Sequence, residues 1–159
     1  MQDYKGFPDS ARVWIYQSTT PIGEEKVIEI QRHLKTFAKN WVSHNNQLSA
    51  FADIFHSQFV VLMVDENQAG ASGCSIDKSV HFLKQLEQHY NLNLFDRMTF
   101  TYKEGETVKT ASREEFTMLY ESGKIDDKTL VFDNLVKDKR AFEEKWLKPL
   151  GESWHRRML

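Results

Sequence analysis

The chain has 159 residues, of which 40% are hydrophobic and 28% charged, with a formal net charge of −2. This length suits one domain with a substantial core. The charge disfavours general nucleic-acid binding, which depends on lysine and arginine neutralising phosphates. The apolar runs are too short to span a bilayer, and the single cysteine, Cys74, cannot form an intramolecular disulfide. We therefore expect one cytoplasmic domain over residues 1–159, with no membrane or nucleic-acid partner.

The first part of the chain alternates strand and helix patterns. Apolar residues follow a period of two in the strands and spacings of three and four in the helices. The predicted elements are a strand at 12–17, a helix from Thr20 (N-cap) through Trp41, strands at 48–55 and 58–65, a helix ending near Tyr90, and a strand at 97–103. The strand at 58–65 is almost continuously apolar, which is typical of a central strand buried on both faces.

This order, β-α-β-β-α-β, is that of the ferredoxin-like motif, in which two helices cover one face of an antiparallel sheet. We therefore predict an α+β fold with a ferredoxin-like unit over residues 1–103. RNA-recognition modules share this order, but the segment at 59–65 lacks their aromatic signature.

Residues 104–159 are predicted to form a C-terminal α/β extension. A hairpin turn at 104–105 leads into a strand at 107–110. Ser112 and Glu115 form a capping-box pair that opens a helix, and Gly123 ends it. A strand at 129–132 and a helix at 139–147 follow, before a short tail.

The loop at 70–77 joins the predicted buried strand to the second helix. Free N–H groups and the helix dipole favour an anion at a helix start, and the same field favours a thiolate there. A small anionic ligand would contact the glycines, the hydroxyls and the first-turn carboxylate, namely Gly70, Ser72, Gly73, Ser75 and Asp77.

Two other interpretations of this loop stay open. It can be a capped connection, with Ser72 or Ser75 as N-cap and Cys74 packed as a small apolar residue. It can also carry a reactive thiol, with Cys74 as nucleophile and a histidine, such as His155, as base. A Walker A loop is excluded, because Gly73 is followed by Cys74 rather than by lysine. We expect no metal and no cofactor.

The tail at 151–159 contains Trp154, Arg156 and Arg157. Trp154 is costly to leave in water, so we expect the tail to dock on the core. The alternative is a partner-binding tail, in which Trp154 and the two arginines contact an acidic or phosphorylated surface of a partner. The sequence thus favours a binding protein that uses the 70–77 loop or the Trp154 tail, with a thiol-dependent enzyme as the alternative.

Three segments carry a resemblance to a family of short, uncharacterised bacterial proteins labelled as ABC-transporter ATPases. They are Arg12–Gln17, the run from Ala71 to Asp77, and the run from Glu152 to His155. The resemblance implies a bacterial protein and brings no established activity. Separately, residues 102–132 are similar to bacterial GYF-type modules, which implies a shared local shape and proline-rich peptides as ligands. The Gly-Pro-aromatic element that carries binding in those modules is absent here.

Overall fold

A computed structural model describes residues 3–159, and within them the chain is an α+β protein with antiparallel sheets. The strands are β1 (Arg12–Gln17), β2 (Val42–Ser43), β3 (Asn46–Gln47), β4 (Ser49–Phe55), β5 (Phe59–Asp65), β6 (Thr99–Glu104), β7 (Thr107–Ser112), β8 (Leu130–Phe132) and β9 (Leu147–Pro149). The helices are α1 (Glu24–Asn40), α2 (Gly73–Tyr90), α3 (Arg113–Glu121) and α4 (Lys139–Lys145). Short 3-10 turns lie at Tyr4–Gly6, Leu150–Glu152 and Trp154–Met158. None of the helices in residues 3–159 combines the length and the apolar character needed to cross a bilayer.

The first sheet has the order β1-β5-β4, with both neighbours antiparallel to β5. Every side chain of β5 from Phe59 to Val64 is buried, which confirms the central strand predicted from its apolar run. Residues of α1 and α2, including Ile30, Leu34, Leu83 and Leu86, cover one face. The other face packs against aromatic residues from both ends of the chain, including Phe7, Phe132, Phe142 and Trp146.

The second sheet has the order β7-β6-β8-β9. β6 is the fourth strand of the predicted ferredoxin-like unit, yet it pairs with β7 and β8 instead of with β1. Both edges of β6 are used within the second sheet: one pairs with β8 at Tyr102, and the other is joined to β7 by a tight hairpin at Gly105, whose φ of +62° favours glycine. This hairpin aligns β6 with β7 along their whole length. The first sheet therefore keeps three strands in the ferredoxin-like order, and β1 is an edge strand over most of its length.

The two sheets share a core and a polar contact. Phe59 of β5 lies 4.9 Å from Phe132 and 5.0 Å from Trp146, measured between ring centroids. Beside this aromatic group, the Gln58 amide donates to the Ser18 carbonyl and to the Thr110 hydroxyl. The second sheet is therefore held against the first by large rings and by the hydrogen bond from Gln58 to Thr110.

Some helix ends differ from the predicted ones. α1 begins at Glu24 with Gly23 as N-cap, because Thr20 takes part in a turn with the Ser18 hydroxyl and Ile22 donates to the Ser57 carbonyl. Trp41 is extended and follows the helix instead of continuing it. The last predicted helix ends at Lys145, and the chain then forms β9.

Candidate functional site

The 70–77 loop turns its polar groups mainly toward its own backbone. Ser72 is the N-cap of α2, and its hydroxyl accepts from the Ser75 N–H at 3.2 Å. Ser75 is buried, its hydroxyl donates to the Ser72 carbonyl, and its own carbonyl accepts from the Trp41 indole. These contacts are those of a capped connection, and they leave Ser75 facing the core.

A carboxylate of the chain itself occupies part of this loop. Glu66 Oε2 accepts from the Ala71 N–H at 2.8 Å. The same oxygen would lie 3.2 Å from a Cβ atom at Gly70, so the loop folds closely around it. Gly73, Cys74 and Asp77 are exposed. Nothing in the sequence distinguishes Glu66 as a partner of this loop, because a carboxylate after a strand is usually only solvated.

Cys74 and His155 lie in different environments. Cys74 is exposed on the first turn of α2. His155 is only 2% exposed, and its ring lies 3.8 Å from the Trp154 ring and 5.0 Å from the Phe100 ring. Its Nδ1 atom is 2.6 Å from the Ser153 hydroxyl. The aromatic contacts of His155 come from its own half of the chain, and within residues 3–159 no hydrogen bond joins this ring to the thiol.

The charge state of His155 follows from its burial. Removal from water lowers the pKa of His155, the charge of Asp133 opposes this shift, and the charge of Lys148 adds to it, so that the pKa is about 4. The imidazole is therefore neutral near pH 7.

The tail docks on the second sheet, as expected. The Trp154 indole donates to Asp133 Oδ1 at 2.9 Å. Arg156 Nε donates to Asp127 at 3.2 Å, and its guanidinium lies 4.9 Å from the centre of the Tyr120 ring. Arg157 is exposed. Arg156, which was predicted to contact a partner, thus already has partners within the chain.

Docking of the tail forms one wall of a cleft between the two sheets, with a volume of about 550 Å³. We call it the Ile15 cleft, after the residue at its centre. Its lining comes from residues 13–17 of β1, residues 94–100, residues 134–137, and Trp154 with His155. Ligand sites in proteins typically enclose about 300–1,000 Å³, and this cleft lies within that range.

The backbone of Ile15 faces the cleft. Ser18 N–H bonds to the Gln58 carbonyl in continuation of the β1–β5 ladder, so the even-numbered residues of β1 pair with β5. The backbone N–H and C=O groups of the odd-numbered residues therefore point away from β5. Accordingly, the Val13 N–H bonds to the Lys137 carbonyl at 2.9 Å. The next outward residue is Ile15, which is half-buried. By this alternation Ile15 and Val61 form a non-hydrogen-bonded pair, and in the part of the chain that the structure describes no other group bonds to the N–H or the C=O of Ile15.

A chain of side-chain hydrogen bonds closes one end of the cleft. Gln17 donates to the Thr99 carbonyl at 3.0 Å and accepts from the Asn134 amide at 3.0 Å. Asn134 in turn accepts from the Trp146 indole at 2.9 Å. The bond from Val13 to Lys137 closes the other end, so the open stretch of β1 is short.

Asp133 supports the wall formed by Trp154. Its carboxylate accepts from Lys148 Nζ at 2.7 Å, from the Leu135 N–H and from the Trp154 indole. Burial alone would raise the pKa of Asp133, but these hydrogen bonds and the charge of Lys148 outweigh it and lower the pKa overall. The carboxylate is therefore ionised at neutral pH and holds Trp154 in place.

The rim of the cleft is apolar and cationic. Met98 and Leu135 are 42% and 57% exposed, which is unusual for large apolar side chains. Arg97 and Lys137 are also exposed at the rim, and within residues 3–159 neither side chain forms an ion pair. Burial raises the pKa of Tyr16 in the cleft wall, and the charge of Arg97 opposes this shift. Arg97 thus places positive charge near the wall.

The sequence signals for this cleft were incomplete. Trp154 and His155 were singled out from the tail, whereas Ile15, Asp133 and Asn134 were not. Among residues 3–159, no group of three or more His, Cys, Asp and Glu residues is placed to hold a metal ion.

Comparisons with protein-family models, with curated proteins and with solved structures found no match for this chain.

Proposed function

We propose that this chain is a binding protein and that its ligand occupies the Ile15 cleft. The observation that carries the proposal is the pair of unpartnered backbone groups of Ile15 inside a closed-ended cleft. Exposed edge groups of a strand favour pairing with an added partner. The exposed Met98 and Leu135 side chains at the rim would lose contact with water when a ligand binds.

The resemblance noted in the sequence involves residues of the same cleft. Of the three segments that carry it, Arg12–Gln17 and the segment ending in Trp154 and His155 both line this cleft. We also propose, on that resemblance and on the reducing compartment that a single cysteine favours, that the protein acts in a bacterial cytoplasm. Its net charge of −2 favours a ligand other than nucleic acid.

A thiol-dependent enzyme is the weaker proposal. It is supported by the exposure of Cys74 on the first turn of α2. Nucleophilic catalysis also needs a base within hydrogen-bond reach, and the ring of His155 is enclosed by Trp154 and Phe100. We therefore favour binding over catalysis.

The proposal is tested with the dye 8-anilinonaphthalene-1-sulfonate, an aromatic anion that fits an apolar cleft with a cationic rim. We expect its fluorescence to rise on addition of the folded chain. The double substitution Met98→Glu and Leu135→Glu should weaken dye binding about tenfold or more, because it places negative charge on the rim.

Met118→Glu is the matched control, because Met118 is 66% exposed and does not line the cleft. It should leave dye binding unchanged. Equal weakening by the control, or no dye binding to the folded chain, would contradict the proposal.

A further inference from the structure

We infer that the occupant of the Ile15 cleft is a short extended peptide segment that carries a carboxylate. This inference rests on the proposed function, because it names the chemical class of ligand for that same cleft. Three features of the cleft support it, namely its backbone groups, its length and its charge.

The backbone groups of Ile15 match those of a peptide. In an antiparallel pair, two opposite residues exchange both N–H···O=C bonds. Ile15 offers one donor and one acceptor on the same side of the strand. A single residue of an extended peptide supplies the complementary acceptor and donor, and this is the pairing used in β-strand addition.

The length of the open edge limits the size of the segment. The open edge lies between Val13, whose backbone N–H bonds to Lys137, and Gln17, whose side chain bonds to Thr99 and Asn134. Four residue steps at about 3.3 Å each give about 13 Å of open strand. A peptide of three or four residues fits this length, whereas a long strand from another sheet would collide with the closed ends.

The charge at the rim selects among such peptides. Arg97 and Lys137 are exposed and have no carboxylate partner in residues 3–159. Asp96 also lines the cleft, but its carboxylate already accepts from the Met98 N–H and from the Thr99 hydroxyl. These hydrogen bonds do not remove the charge of Asp96, but Arg97 and Lys137 outnumber it, so the lining of the cleft is net positive and complements a peptide carboxylate.

The inference is tested with three capped tripeptides, titrated into the full ¹⁵N-labelled chain and followed by NMR. The first is acetyl-Val-Asp-Val-amide, and the second carries Lys in place of Asp. The third is the acidic peptide with its central nitrogen methylated, which removes the donor that would pair with the Ile15 carbonyl. We expect the acidic peptide to shift the Ile15 amide resonance and to bind about tenfold or more tightly than either of the other two.

Substitutions in the protein test the same contacts as the changes in the peptide. Replacing Arg97 and Lys137 together with Gln should remove most of the preference for the acidic peptide over the lysine peptide. The control Lys78→Gln should keep that preference, because Lys78 is an exposed lysine on α2 outside the cleft. Ile15→Pro removes the outward-facing N–H, together with a side chain that packs against the core, and should abolish binding. If that variant fails to fold, the methylated peptide still tests the backbone pairing on the native chain.

Four results would overturn the inference. Equal binding of the acidic and lysine peptides would show that charge does not select the ligand. Binding of the methylated peptide as tight as that of the acidic peptide would show that no backbone pairing occurs. If the dye binds the cleft but no peptide does, the proposed function stands and the peptide class is wrong. A concentration-dependent shift of the Ile15 amide without any peptide would show instead that a second copy of the chain occupies the edge.

Discussion

The 70–77 loop and the Ile15 cleft both present backbone amides, and they differ in what those amides already bind. In the loop, Ser72 and Glu66 accept from the Ser75 and Ala71 N–H groups. In the cleft, both backbone groups of Ile15 lack a partner among the described residues. Glycines and serines at a helix start therefore indicate capping as readily as ligand binding, whereas an interrupted strand edge leaves hydrogen-bonding capacity for another molecule.

The largest expected effect comes from removing the wall of the cleft. Trp154→Ala should lower the free energy of unfolding by about 3 to 4 kcal/mol, because it deletes a large ring and a hydrogen bond to a carboxylate. The ring packs on His155 and Phe100, and the indole donates to Asp133. Urea denaturation measures the loss.

Trp154→Phe is the matched control for this prediction. It keeps an aromatic ring but loses the hydrogen bond and part of the packed ring area, so a loss of about 1 to 2 kcal/mol is expected. A Trp154→Ala variant as stable as the original chain would show that the tail does not hold the cleft together.

Acid should produce the next largest effect, through His155. Its pKa is about 4 in the folded chain and roughly 6.5 in an unfolded one. Between these values the unfolded chain binds more protons, so stability is complete above pH 6.5 and falls as the pH decreases toward 4. The loss at pH 4 should reach about 3 kcal/mol, since each unit corresponds to about 1.36 kcal/mol. Asp133 does not contribute in this window, because its lowered pKa costs stability only below its unfolded value of about 3.9.

Urea denaturation at a series of pH values checks this dependence. His155→Gln should flatten most of the change between pH 6.5 and 4. His56 also has a pKa lowered by burial and by Lys103, but it is exposed, so His56→Asn should keep most of the change. If His56→Asn removes the dependence and His155→Gln does not, the neutral buried imidazole is not its source.

The sequence predicted those parts of the fold that depend on neighbouring residues. The apolar run of β5, the Ser112 cap of α3 and the stop at Gly123, with its φ of +76°, are all present. The turn at His56 and Ser57 is also where it was expected, and both residues have positive φ. Each of these features results from burial or hydrogen bonding within a few residues, so a single sequence carries the necessary information.

The partner of β6 and the cleft were not predictable in this way. The ferredoxin-like order placed β6 beside β1, but β6 instead pairs with β7 on one edge and with β8 on the other. Because β6 does not pair with β1, Ile15 lies at a sheet edge. Residues more than a hundred positions further along the chain, such as Asn134, then complete the cleft. Such long-range choices depend on the relative free energies of alternative strand pairings, which local patterns do not report.

A smaller effect is expected at the loop. Glu66→Gln should lower the free energy of unfolding by about 1 kcal/mol, because an exposed charge-assisted hydrogen bond to Ala71 becomes a neutral one. Glu121→Gln, on an exposed residue of α3, should have no measurable effect. We also expect phosphate to leave the melting temperature of the original chain unchanged. If phosphate raised the melting temperature, and raised it more in Glu66→Gln than in the original chain, the loop would be an anion site after all.

The smallest effect is expected at Cys74, and it distinguishes the loop from the cleft most directly. The thiol is exposed, so iodoacetamide should modify it in the folded chain without denaturant. Modification and Cys74→Ser should each change the free energy of unfolding by less than about 0.5 kcal/mol, because the side chain is not part of the core. Both should also leave dye and peptide binding at the Ile15 cleft unchanged. If modification abolished that binding while the fold stayed intact, the loop and the cleft would act as one site, and the thiol would belong to it.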